Sequence, residues 1–203
     1  MRKQAIAAVL ALALSGGLAA CSSSDSGGSS SSGSGMMSEM AKSGATMAQS
    51  VGLMGQEAKF LTTAIQSGLA EVELGRLARE RTDDREVRRF AQQMVDDHSN
   101  ANAKLETMAR AQDITIPTEP DSTHQATAKE LAALRGRAFD RAYMDQMVKD
   151  HETDVALFQQ QASADTGPVS ELAASILPKL REHLAMASAI QKSLGPAQVS
   201  QAE

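Results

Sequence analysis

The 203-residue chain has a single cysteine, no tryptophan, one tyrosine, four phenylalanines and five prolines, so aromatic residues make up only 2% of it. One thiol closes no intramolecular disulfide, which removes the covalent framework of many small secreted domains and leaves stability to a packed core. Scarce aromatics and scarce β-branched runs disfavour a sandwich or barrel. No Gly-rich phosphate loop and no nucleophile elbow occurs, which weighs against an enzyme. Nor is there an apolar run of the ~20 residues that a spanning helix requires.

The N-terminus does contain an export signal. Met1-Arg2-Lys3 is followed by an apolar stretch from Ala5 to Leu14 and a small-residue approach. Leu18-Ala19-Ala20-Cys21 resembles the lipobox of bacterial lipoproteins, which implies a signal peptide over 1–20 and lipid attachment at Cys21. Ser22 resembles the residue that permits transfer to the outer membrane in many Gram-negative envelopes. The expected location is therefore the bacterial cell envelope, outside the cytoplasm, with the lipid anchor making the membrane a partner.

Residues 22–35 are almost entirely Ser and Gly, a composition expected to act as a disordered tether. Within residues 21–56, Met37, Met40, Met47, Val51 and Met54 fall near heptad spacing, so a helix there would carry a thioether stripe. Such a stripe is either adaptable packing or a weak pointer to soft metal ions. Losing Arg2 and Lys3 with the signal leaves 18 basic against 25 acidic side chains (20 − 2 = 18), a formal charge of −7 (18 − 25). Nucleic acid is not an expected partner of such a chain.

From Glu57 onward the pattern predicts an all-α domain over 57–195, ahead of a short tail at 196–203. Helix-favouring Ala, Leu, Glu, Gln and Arg dominate. Four main helices are expected, near 57–81, 83–112, 139–163 and 168–194. The second is expected to open on Asp83, with Glu86 three residues later in capping-box spacing. Pro117 and Pro120 mark a long link, a short helix is expected over 125–135 ending at Gly136, and Pro178 should kink the last helix. Tight links between helices one and two and between three and four, with the long link between, predict a ferritin-like four-helix bundle with a crossover between helices two and three.

Two segments echo each other: Met94-Val95-Asp96-Asp97-His98 and Met147-Val148-Lys149-Asp150-His151. At helical spacing His98, His151 and His183 each fall on the apolar stripe of their helix and near its middle, so in a bundle they could converge. Glu71, on the edge of the small-residue seam of Ala64, Gly68 and Gly75, is the carboxylate expected within reach; Glu73 points about 200° away around the helix. Three imidazoles and a carboxylate suit a first-row transition metal such as Cu, Fe or Zn. Asp97, Asp150 and Glu182, each preceding a histidine, cannot face their own neighbour, but could orient a histidine on the next helix. In the alternative reading the histidines are neutral core residues satisfied by those acids or by Tyr143, and the domain is a structural or interaction module without metal whose acidic faces or Met stripe dock a partner protein. His124, in the Pro-containing link, is expected in solvent.

Phe60-Leu61, Ala70-Glu71-Val72-Glu73-Leu74-Gly75, Met94 to His98, Phe139-Asp140-Arg141-Ala142-Tyr143 and Leu177-Pro178-Lys179-Leu180-Arg181-Glu182-His183 together resemble the bacterial envelope family called domain of unknown function 4142, over about 58–194. The resemblance implies a ferritin-like bundle, often exported, and supplies no reaction. Di-iron relatives of that fold use Glu-x-x-His on two helices. No helix here contains that motif, which speaks against ferroxidase or oxygenase chemistry.

Overall fold

The computed structural model describes the backbone of residues 33–195 and the side chains of residues 52–195. The signal, Cys21, most of the tether, the tail and the side chains of Met37, Met40, Met47 and Val51 lie outside the described residues; Met54 is exposed. Five helices follow in order: α1 (Gly33–Arg81), α2 (Arg85–Ala111), α3 (Ser122–Ala132), α4 (Gly136–Ala162) and α5 (Pro168–Leu194). No strand occurs among the described residues.

Helix α1 starts well before the expected Glu57 and takes in Gly33–Gly35 of the tether. No proline precedes Pro117 to stop it. It ends at the Thr82-Asp83-Asp84 break. There the cap differs from the expected one: Asp84, not Asp83, accepts the Glu86 and Val87 backbone N–H groups at 2.8 and 3.2 Å. A side chain must sit two or three residues before the amides it caps, and Asp84 meets that spacing for both. The short helix α3 also begins earlier than expected, at an Asp121 cap that accepts from Thr123 and His124. Gly136, expected to end it, instead opens α4 with φ +54°, where a side chain would be strained. Pro168 occupies the first turn of α5. Pro178 is tolerated within α5 because it and Ala174 both lie on the exposed face, where water can reach the carbonyl left without a donor.

The core has two apolar clusters. One joins Phe60, Leu61, Ala64 and Ile65 of α1 to Leu105 and Ala109 near the end of α2, Phe158 near the end of α4, and Val169 to Leu180 at the start of α5. The other joins Leu74 and Ala78 of α1 to Val87, Phe90, Ala91 and Met94 at the start of α2, Phe139 to Met147 at the start of α4, and Ala187 and Leu194 at the end of α5. Helices α1 and α5 therefore run one way and α2 and α4 the other. Because α2 and α4 are parallel, the chain must cross the length of the bundle between them, and the 112–135 link carrying α3 does so. This is the expected ferritin-like four-helix bundle with its crossover.

Small residues bring α1 and α2 together. A Cβ on Gly75 would lie 2.9 Å from the Ala91 carbonyl oxygen and 2.9 Å from Val95 Cγ2, and one on Gly68 would lie 2.2 Å from the Asn102 Oδ1. At the ends, Phe60 and Phe158 meet edge to face at 5.0 Å, while Phe139 and Tyr143 stack at 5.9 Å.

Candidate metal centre

Between the two apolar clusters lies a polar tier with one contribution from each main helix. Helix periodicity places Glu71 four residues after Ser67 and three before Leu74 on the inner face of α1, and each histidine takes the equivalent mid-helix position on α2, α4 and α5. Glu71 and His151 are fully enclosed, and His183 and His98 retain only 1% and 4% of their surface. The three imidazole centroids form a nearly equilateral triangle with sides of 5.4, 5.3 and 5.4 Å. Each ring offers a nitrogen within 4.8 Å of those of the other two. This convergence matches the expectation for His98, His151 and His183, and Glu71 joins them: its Oε2 lies 2.6 Å from His98 Nδ1 and its Oε1 3.1 Å from His151 Nδ1. Glu73, the less favoured carboxylate, is exposed.

Burial decides the protonation pattern. It pushes His98 and His183 down to about 4 and lowers His151, so the rings are neutral near pH 7. His151 Nδ1 lies 2.9 Å from the Met147 carbonyl oxygen, an acceptor only, so that nitrogen carries the proton and donates it. His183 Nε2 lies 2.9 Å from Asp97 Oδ2. Burial opposes ionisation of Asp97, but hydrogen bonds from His183 and Gln93, with the charges of His183 and Lys179, bring its carboxyl below the ordinary range. It is therefore an ionised acceptor, and His183 Nε2 is the donor. The opposite nitrogens, His151 Nε2 and His183 Nδ1, are left as buried lone pairs with no partner, and His98 Nε2 is also buried without one. An unpaired buried polar atom costs on the order of 1–3 kcal/mol, so three at one level is an expensive arrangement for a protein core.

Glu71 is in a similar position. Neither of its oxygens has a partner in hydrogen-bond geometry, despite the short approaches to the two rings. Burial raises it to about 7, with the nearby charge of His151 opposing and that of Asp150 adding. A carboxylate oxygen and an imidazole nitrogen 2.6 Å apart in a low-dielectric interior need a positive charge between or beside them, from a proton or a cation.

The other expected side chains divide. Asp97 does reach a histidine on the next helix, as expected. Asp150 is buried but accepts from Gln146 Nε2 at 2.7 Å, and no histidine bonds to it. Glu182 departs furthest: it is exposed and pairs with Lys179 at 2.8 Å. Tyr143 is enclosed with its hydroxyl unpartnered, bonding none of the histidines, and burial together with the charge of Glu71 raises it above the ordinary phenol value. His124 is half-buried rather than solvated, its Nδ1 2.9 Å from Asp121 Oδ2.

Sequence reasoning missed a second polar layer one turn toward the Phe60 cluster. Ser67 hydroxyl reaches both oxygens of buried Asp154 at 3.0 and 2.8 Å, and Asn102 packs against Gly68. Burial, then the charge of Glu71, raises Asp154 to about 8, with the Ser67 hydrogen bond opposing. The signal was available: Ser67, Asn102 and Asp154 stand four, four and three residues from Glu71, His98 and His151, on the same helix faces.

The molecule is thus a four-helix bundle with a crossover link and a histidine cluster enclosed at mid-height. The chain belongs to the family of domain of unknown function DUF4142, whose model matches residues 42–190. No curated protein matches it. Two crystal structures share the fold. A presumed secreted protein DUF305 from Streptomyces coelicolor is 19% identical with a TM-score of 0.60, over 73% of this chain and 98% of that one. A DUF305 fragment from Deinococcus radiodurans is 20% identical with a TM-score of 0.61, over 68% and 96%.

Proposed function

We propose that this protein is a lipid-anchored, extracytoplasmic protein of the bacterial envelope that binds a first-row transition metal through His98, His151 and His183, in a stress or metal-handling role. The observation that carries the reading is the set of three buried imidazoles, each with one ring nitrogen unpartnered and each offering a nitrogen within 4.8 Å of the other two. Nitrogens bound at 2.0–2.1 Å in a tetrahedral site stand about 3.3 Å apart, a spacing that modest side-chain rotations reach. Glu71 either supplies the fourth ligand or holds His98 and His151 from behind, and Asp97 and the Met147 carbonyl fix the tautomers of His183 and His151. Copper, iron and zinc all fit an imidazole-carboxylate set.

The envelope location is supported by the signal-like N-terminus and the lipobox-like Leu18-Ala19-Ala20-Cys21, and by the Streptomyces relative presumed to be secreted. Among the described residues no helix is long and apolar enough to cross a membrane, so the lipid on Cys21 would be the attachment. The mature charge of −7 (18 basic against 25 acidic side chains) argues for a protein partner or none rather than nucleic acid.

The test is retention of metal. Protein produced without a histidine tag is exposed in turn to Cu, Zn, Fe and Mn, freed of excess ion by gel filtration, and analysed by elemental mass spectrometry. Near-stoichiometric retention of one metal, lost in His151→Ala with helicity intact by circular dichroism, supports the reading. A folded wild-type protein that retains none of them overturns it and favours a non-enzymatic interaction module of the envelope.

A further inference from the structure

Among the described residues, the groups in polar contact with the histidine cluster are enclosed with one exception. The side chains of Glu71, His98, His151 and His183 are at most 5% exposed, and the Met147 carbonyl that holds His151 is part of the α4 backbone. The exception is Asp97: it is 28% exposed, and its Oδ2 reaches His183 Nε2 at 2.9 Å across the seam between α2 and α5. On the outer side the Lys179 ammonium stands 4.0 Å from that same oxygen and 2.8 Å from Glu182 Oε2. Gln93 Nε2 donates to Asp97 Oδ2 at 3.3 Å. A carboxylate in contact with a buried imidazole on one side and with an exposed ammonium on the other is placed to exchange one cation for another.

We infer that Asp97 and Lys179 form the entry gate of the histidine site, Asp97 taking an incoming divalent cation from solvent and releasing it toward the unprotonated Nδ1 of His183 while Lys179 occupies the carboxylate between transfers. The inference rests on the metal-binding reading. An arriving ion displaces the ammonium, which keeps its partner Glu182, so no charge is stranded. The oxygen of Asp97 is a ligand that first-row cations accept and leave readily. Negative charge from Asp97 and Glu182 concentrates cations at this point of the wall, a steering effect that acts on the association rate. If Asp97 merely fixed the tautomer of His183, losing its charge would weaken that hydrogen bond and lower equilibrium affinity without slowing entry of the ion.

Substitution therefore separates the two roles. Asp97→Asn keeps an acceptor for His183 and removes the charge, and Lys179→Met removes the competing ammonium from an exposed position. Co²⁺ is the probe, since its visible absorption reports nitrogen coordination, and loading is followed by stopped flow alongside an equilibrium titration. The gate predicts loading slowed about tenfold in Asp97→Asn, faster loading in Lys179→Met, and a dissociation constant that changes less than the rates in both. Unchanged loading in Asp97→Asn, or a loss confined to equilibrium affinity, overturns the gate while leaving the metal site standing. A wild-type protein that takes up no Co²⁺ and none of the other ions overturns the metal reading itself.

Discussion

Glu71 Oε2 lies 2.6 Å from His98 Nδ1, and both side chains are buried. That contact ties α1 to α2 at mid-height, and through Oε1 the same carboxyl reaches His151 on α4. Stability and ligand chemistry therefore meet in one residue, and substitutions there should separate them. Glu71→Ala leaves a cavity beside two buried imidazoles and is expected to cost about 2–4 kcal/mol in urea unfolding. Glu71→Gln fills the same space and should leave the metal-free fold near wild type, while metal affinity falls by about 10–100-fold, as for loss of a group that orients or supplements a metal ligand. A Gln variant with both wild-type stability and wild-type affinity would remove Glu71 from the site.

Asp154 gives a pH prediction. Its carboxyl is raised to about 8 in the fold, mainly by burial, against an ordinary 3.8. Between those values the folded chain holds a proton that the unfolded chain releases, so this group's contribution to stability is full below the unfolded value and is lost as pH rises toward 8. His98 and His183 act in the opposite sense, since their values fall from 6.5 to about 4 and their contribution is lost as pH drops through that window. Asp154→Asn keeps an acceptor for Ser67 and has no proton to lose. Its stability relative to wild type, measured by denaturation without metal, should therefore increase steadily from pH 4 to pH 8. A pH-independent difference would show that Asp154 titrates normally.

Gly75 and Gly68 should respond unequally to alanine. The Gly75 Cβ would meet a backbone carbonyl that cannot turn aside, so Gly75→Ala is expected to lower stability by about 1–3 kcal/mol despite the better helix propensity of Ala. At Gly68 the obstacle is the end of the Asn102 side chain, which can rotate, and the loss should be smaller. Thermal melts of the two variants give the order.

The cap of α2 is testable at two adjacent aspartates. Asp84→Ala removes an acceptor of two backbone amides and should cost about 1 kcal/mol. Asp83 is exposed and its nearest basic partner, Arg88, is 4.0 Å away, so Asp83→Ala should fall within experimental error. Equal losses would mean that the cap is shared.

The bundle and its crossover were legible because the 3.6-residue period, Gly167-Pro168 and the Pro117 to Pro120 link are local signals. The convergence of His98, His151, His183 and Glu71 was legible for the same reason: periodicity gives a residue's face, and its place along the helix gives its height. Contacts between helices were not. Nothing in the sequence distinguishes Asp97, which reaches His183, from Glu182, which turns outward, although both precede a histidine; the difference is set by rotation of α2 against α5. Asp83 and Asp84 show the same limit over a single residue. The pairing of Ser67 with Asp154 joins residues far apart in sequence and depends on how α1 and α4 are set along their axes.

The polar tier has a further consequence for assembly. The two apolar clusters on either side of it are built from non-directional Ala, Val, Leu, Ile, Met and aromatic side chains, which penalise a helix displaced by one turn, about 5.4 Å, through packing alone. With the tier present, such a slip would set an imidazole or a carboxyl against hydrocarbon on three neighbouring helices at once. Glu71, His98, His151 and His183 thus act as an index mark that admits a single alignment of four otherwise non-directional surfaces.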